Sequence, residues 1–196
     1  GECPESWNIV KPGIIRDIAR AYAQAGSRVI LTNTFGANRI VLARHNWERF
    51  TRLINKSGAA IARRAVGSAA LVFGSMGPSG KLLMMGEVGE DELYDVFLEQ
   101  AQALAVGGAH ALVIETMADL DEARLALRAA RTTQLPVIAC MAFDTGPLRD
   151  RTMRGVTPEA AAAALTEAGA DAIGANCGAG IASYAALCRR LRAATP

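Results

Sequence analysis

Three times in this chain a glycine helix stop is followed at once by an apolar run. The junctions are Ala25-Gly26-Ser27-Arg28, Gly107-Gly108-Ala109-His110 and Ala168-Gly169-Ala170-Asp171. Glycine reaches the left-handed conformation that ends a helix without a Cβ penalty. The runs that follow, such as Ala111-Leu112-Val113-Ile114, are apolar on both faces. Strands of that kind, alternating with helices, belong to a parallel sheet covered by helices. Right-handed crossovers then bring every strand's C-terminal end to one rim.

The remaining elements follow from periodicity and punctuation. A helix starts at Pro12, with Ile14, Ile15, Ile18, Ala19 and Tyr22 as its apolar face. A strand spans 28–32. A helix over about 46–66 turns Phe50, Leu53, Ile54, Ser57 and Ile61 inward. The strand 69–73 runs into Gly74-Ser75-Met76-Gly77-Pro78-Ser79-Gly80, a loop dense in turn formers. Then come a helix at 90–106, the strand 111–114 ending on Glu115-Thr116, and a helix capped by Asp119 with Glu122 three residues on. Strand 136–141, a helix started by Thr157-Pro158, strand 171–175 and a helix at 181–193 close the order. No linker or composition break divides the chain, so a single domain over 1–196 is expected.

Two α/β architectures fit: an open doubly wound sheet, or part of a (β/α)8 TIM barrel. A doubly wound nucleotide binder carries GxGxxG or a P-loop after an early strand. Gly74-x-x-Gly77-x-x-Gly80 has the wrong spacing and contains Pro78. Five strand–helix units are also too few to close an eight-stranded barrel.

Composition narrows the partners. A formal net charge of +2 makes no case for nucleic acid. No apolar run is long enough to span a membrane. The opening GECPESWN has no signal-peptide pattern. The four cysteines, Cys3, Cys140, Cys177 and Cys188, have no CxxC spacing, which fits a reducing, cytoplasmic setting. Cys140, inside a strand, and Cys188, within a helix, read as core residues.

If the strands end on one rim, that rim carries Thr32-Asn33-Thr34, Ser75, Glu115-Thr116, Asp144 and Asn176-Cys177. Each cluster directly follows an apolar run. Such a rim could bind a small zwitterion, with carboxylates holding an ammonium group and the N–H groups of the 74–80 loop holding a carboxylate. The residues also allow blander roles. The threonines can cap a turn, Asp144 beside Gly146-Pro147 reads as a turn residue, and Cys177 can be a small buried hydrophobe. His110 precedes a strand and so falls at the opposite rim. No Ser–His–Asp set assembles.

Taken together, Thr32-Asn33-Thr34-Phe35-Gly36-Ala37-Asn38, Gly74-Ser75-Met76-Gly77-Pro78-Ser79-Gly80, Ile114-Glu115-Thr116 and Gly174-Ala175-Asn176-Cys177-Gly178 resemble the homocysteine S-methyltransferase family. The likeness runs nearly end to end and includes Pro4-Glu5-x-Trp7-Asn8. It implies a (β/α)8 barrel, of which this chain covers roughly strands two to six. It implies methyl transfer to the thiol of homocysteine, giving methionine, with methyl-cobalamin or another methyl donor. In the family, zinc held by three cysteine thiolates activates that thiol. Cys177 matches the first of these ligands, and the pair in the family's Gly-Gly-Cys-Cys-Gly motif has no counterpart here. Glu115 matches the acid that holds the substrate ammonium group, and Asn176, Thr34 and Ser75 match positions near the substrate. A second chain or a homo-oligomer is expected to cover the open barrel. The alternatives are a zinc-free corrinoid- or folate-linked methyl-transfer component, and a non-catalytic barrel fragment acting as a subunit.

Overall fold

The computed structural model describes residues 2–178 and 180–195; Gly1, Ala179 and Pro196 lie outside the described residues. Two short helical pieces, ending in α1 (Trp7–Val10), lead into α2 (Pro12–Gln24) and β1 (Val29–Leu31). Then follow α3 (Arg39–Ala43), α4 (Thr51–Val66), β2 (Leu71–Met76), α5 (Glu90–Val106), β3 (Ala111–Met117), α6 (Leu120–Arg131), β4 (Val137–Met141), α7 (Pro158–Glu167), β5 (Ala172–Ala175) and α8 (Ile181–Ala193). The glycines of the repeated junctions do what the sequence requires. Gly26, Gly108 and Gly169 have φ of +99°, +92° and +88°.

The five strands pair in parallel in the order β1-β2-β3-β4-β5. That order decides between the two architectures. Right-handed crossovers between successive neighbours put every helix on the same face of the sheet. A doubly wound sheet needs a reversal of strand order, and there is none here. The chain is therefore a five-unit segment of a (β/α)8-type barrel.

The two faces of the sheet differ accordingly. The helix-facing positions Val72, Met76, Leu112, Ile114, Val137, Ala139 and Met141 are buried. All but Val72 pack with Leu93, Phe97 and Leu104 of α5 and Ala123, Leu127 and Ala130 of α6 in one core, while Val72 joins Ile30, Ala19 and Ala62 in a smaller one. The alternate positions line the concave face. Phe73, Val113 and Ile138 there are only half-buried, and Val29, Leu31 and Leu71 are exposed.

Several expectations are corrected by this geometry. Ile14, Ile18 and Tyr22 of α2 are exposed, leaving Ile15 and Ala19 to pack inward. The reason is that β1 is an edge strand, so α2 has a neighbour on one side only. The helix expected over 46–66 starts at Thr51; Ile54 and Ile61 are buried as expected, but Leu53 is exposed, and Asn55, Gly58, Ala59 and Ala62 complete the inner face of α4. Gly58 makes room for the side chains of Asn8 and Thr34, and the small Ala59 lets the end of α5 at Gly107 come close. Cys188 is exposed and Cys140 half-buried, so neither is a core residue. Asp119 caps α6 by accepting from the Asp121 N–H at 2.9 Å. Glu122 does not complete a capping box; it reaches across to Ser79.

Candidate functional site

The concave face changes character along the strands. Its apolar floor gives way at the C-terminal strand ends to Ser75 on β2, Glu115 on β3 and Asn176 just after β5. Register explains the convergence. Ser75 pairs with Val113, two residues before Glu115, and Cys140 pairs with Gly174, two residues before Asn176. Side chains two apart share a face.

Glu115 is the centre of the cluster. Its Oε1 accepts from Ser75 Oγ at 2.6 Å, and its Oε2 accepts from Asn176 Nδ2 at 3.3 Å. Asn176 is held in turn by Thr116. The Thr116 N–H donates to Asn176 Oδ1 at 2.7 Å, and Asn176 Nδ2 donates to Thr116 Oγ1 at 2.7 Å. Cys177 follows, exposed, with its Sγ 3.6 Å from Thr116 Oγ1. Thr116 and Cys177 both have left-handed backbones, with φ of +63° and +57°. This conformation is uncommon away from glycine and tends to occur at functional sites. Tyr184 of α8 donates its hydroxyl to the Cys177 carbonyl.

The structure brings Ser75, Glu115, Asn176 and Cys177 together and sets Thr34 apart. Thr34 is fully buried. Its hydroxyl donates to the Ser75 carbonyl at 2.8 Å, while Thr32 Oγ1 accepts from the Ser75 N–H at 2.9 Å. The 2.5 Å contact between the two threonines must then run from Thr32 to Thr34, because the Thr34 hydrogen is already used. Both threonines brace the strand end that carries Ser75.

The 74–80 loop is also committed internally, which corrects its expected role as a carboxylate cradle. The Ser75 N–H goes to Thr32, the Gly77 N–H to the Phe35 carbonyl at 2.9 Å, and the Ser79 N–H to Glu122 at 2.7 Å. Gly77 packs under the Phe35 ring, where an added Cβ would lie 2.6 Å from it and displace the ring. Asp144 is exposed, in a turn closed by Arg151. His110 sits at the opposite rim and accepts from the Val72 N–H at 2.8 Å.

Thr116 is the site residue that sequence reasoning left unassigned. Its one signal was its place beside Glu115 at a strand end. The bulge that turns it toward Asn176 depends on pairing with β4, which no local pattern encodes.

A metal is tested by the donors present. Among the described residues no group of three or more His, Cys, Asp or Glu side chains could hold a metal ion. Cys140, one strand away, is poorly suited to ligation. Burial, and then the nearby Glu115 charge, push its thiol up to about 11. Cys3 is buried elsewhere, and Cys188 lies on α8. Zinc takes four donors, and Cys177 alone does not meet that demand.

A parallel barrel segment whose strand ends gather a carboxylate, an amide, a hydroxyl and a thiol on one rim has the architecture of a barrel enzyme's active face. Comparison with known proteins is specific. Residues 2–196 match the homocysteine S-methyltransferase family model, and the chain belongs to that family. It is 31% identical over 201 residues to methionine synthase of Mycobacterium tuberculosis, and equally to that of Mycobacterium leprae. Each alignment covers 96% of this chain but only 17% and 16% of those proteins. Among solved structures, the metallated form of the homocysteine methyltransferase MmuM from Escherichia coli superposes with a TM-score of 0.80 at 22% identity. That match covers 97% of this chain and 71% of that one. The apo form gives 0.76 at 19% identity. These likenesses support the barrel fold.

Proposed function

We propose that this chain forms the homocysteine-binding part of a methyltransferase, within a single barrel domain, that moves a methyl group onto the homocysteine thiol to give methionine. The observation that carries this reading is the Ser75–Glu115–Asn176 set. A carboxylate held by two donors, one on β2 and one at the end of β5, is oriented before substrate arrives, and it keeps lone pairs free for an ammonium group. Ser75 and Asn176 fix the direction of Glu115, and Thr34 and Thr32 fix Ser75. Holding the amino acid by its ammonium group presents its thiol to a methyl donor in a fixed geometry, which is where a two-substrate transfer gains most. The donor in this reading is methyl-cobalamin or another activated methyl compound.

Cys177, at the same rim, would supply one thiolate to a zinc ion whose other donors are not among the described residues. The four cysteines are free, consistent with a reducing, cytoplasmic setting. Among the described residues no helix is long and apolar enough to cross a membrane.

The test is calorimetric titration of the full-length protein with homocysteine. Glu115→Gln should weaken binding by about ten-fold or more, a loss of roughly 1.4 kcal/mol, while the thermal midpoint stays close to native. Unchanged affinity in that variant would remove the carboxylate from the site and with it the proposal. Zinc content, measured for native protein and Cys177→Ser, separates this reading from a zinc-free methyl-transfer component.

A further inference from the structure

Thr116 sits where β3 departs from regular pairing. Ile114 pairs with Ala139 and Met117 with Met141, so Glu115 and Thr116 together oppose Cys140 alone. The extra residue makes a β-bulge, and it takes the Thr116 N–H out of the ladder. Pairing resumes at once, since the Met117 carbonyl accepts from the Ala142 N–H at 2.8 Å. The irregularity is therefore local to the two residues that face the rim.

The residue at this bulge has φ of +63°. Glycine or asparagine would hold that backbone at lower cost, and a β-branched side chain is the least suited to it. A threonine here calls for a compensating use of its side chain, and the hydrogen bonds supply one. Of the two ends of a side-chain amide a backbone N–H can donate only to the oxygen, so the Thr116 N–H fixes which end of the Asn176 amide is Oδ1. The amide nitrogen then faces Thr116 Oγ1 at 2.7 Å and Glu115 Oε2 at 3.3 Å. Thr116 Oγ1 accepts from Asn176, so its own hydrogen is left for Cys177 Sγ at 3.6 Å.

We propose that Thr116 is the positioning residue of this site: its backbone and hydroxyl clamp the Asn176 amide so that its NH2 group is directed at Glu115, and its remaining hydrogen is directed at the Cys177 sulfur. This rests on the reading of Glu115 and Asn176 as homocysteine-binding groups, but the clamp itself can be observed without substrate.

Three variants of the full-length protein test it: Thr116→Val, Thr116→Ala and Thr116→Ser. Two measurements are made on each, the orientation of the Asn176 side chain in a crystal structure and the Kd for homocysteine. A valine methyl group cannot approach an amide nitrogen to 2.7 Å, so in Thr116→Val the Asn176 amide should swing away from Glu115. Affinity should fall about ten-fold. Thr116→Ala removes the acceptor without adding bulk, and should weaken binding several-fold even if the valine variant fails to fold. Thr116→Ser restores the hydroxyl, and should return both the orientation and the affinity to within about two-fold of native. Native Asn176 orientation in the valine or alanine variant would overturn the proposal, as would a serine variant that behaves like alanine. If native protein binds no homocysteine while Asn176 moves as described, the functional reading fails and the clamp stands.

Discussion

At the scale of single residues, the rim depends on buried polar groups with defined partners. Glu122 is the clearest. It is nearly fully buried and accepts from both the N–H and the Oγ of Ser79, at 2.7 and 2.6 Å. Burial outweighs those two bonds and raises its pKa above the ordinary 4.5, with the Asp119 charge adding to the rise. The folded state then holds the proton more tightly than the unfolded chain does. Its contribution to stability is complete below about pH 4.5 and is lost as pH rises through the raised value. The difference in thermal midpoint between native protein and Glu122→Gln should therefore shift against the native protein as pH rises from acid toward neutral. A pH-independent difference would show that Glu122 does not titrate in this way. Glu159 has the opposite sign. Its hydrogen bonds to Arg190 lower it to about 2, so its contribution is present above 4.5 and disappears as pH falls through about 2. Because this pair is solvent-exposed, high salt should erase the effect.

At the scale of elements, close approach between helices sets tight limits. A Cβ on Gly107 would lie 2.5 Å from the Lys56 carbonyl and 2.7 Å from the Ala59 Cβ. The first of these is backbone and cannot turn aside. Gly107→Ala should cost about 1–3 kcal/mol, read as a lower urea midpoint with an unchanged m-value, and Gly13→Ala, in the first turn of α2 with nothing near its Cβ, serves as a control without a steric clash. The same scale shows what local pattern could and could not reveal. The helix stops at Gly26, Gly108 and Gly169 were legible because left-handed glycine is a property of one residue. The Thr157 cap was legible too, and its side chain accepts from the Ala160 N–H. The bulge at Glu115-Thr116 was not, because it exists only relative to β4. The apolar stripe of α2 was read correctly as a stripe, but its burial depends on which neighbours are present.

At the scale of the whole molecule, the described barrel segment has two free strand edges, β1 and β5. Beside β1, Ile18 and Tyr22 of α2 are exposed, and Val29, Leu31 and Leu71 lie open on the concave face. An uncovered parallel edge with apolar neighbours is a template for association. Residues 1–196 expressed alone should therefore associate with rising concentration, as measured by light scattering, and Leu31→Lys should reduce that association. A stable monomer at high concentration, unaffected by Leu31→Lys, would show that the edge is already protected.

The sequence by itself determined the alternation of helices and strands, the parallel sheet and the rim on which Ser75, Glu115, Asn176 and Cys177 would gather. Those features follow from local chemistry: glycine stops, caps, and runs apolar on both faces. Helix and strand pattern left a doubly wound sheet open; the family resemblance implied a barrel, and the unbroken strand order of the tertiary structure bears that out. The tertiary structure alone showed that the 74–80 loop spends three of its N–H groups internally, that Thr34 works as a buried brace, and that Thr116 holds Asn176. Each of these is a matter of which hydrogen bonds remain unspent after the strands have paired. That account can be closed only when residues some 40 to 60 positions apart, Thr34 and Ser75 or Thr116 and Asn176, are in contact.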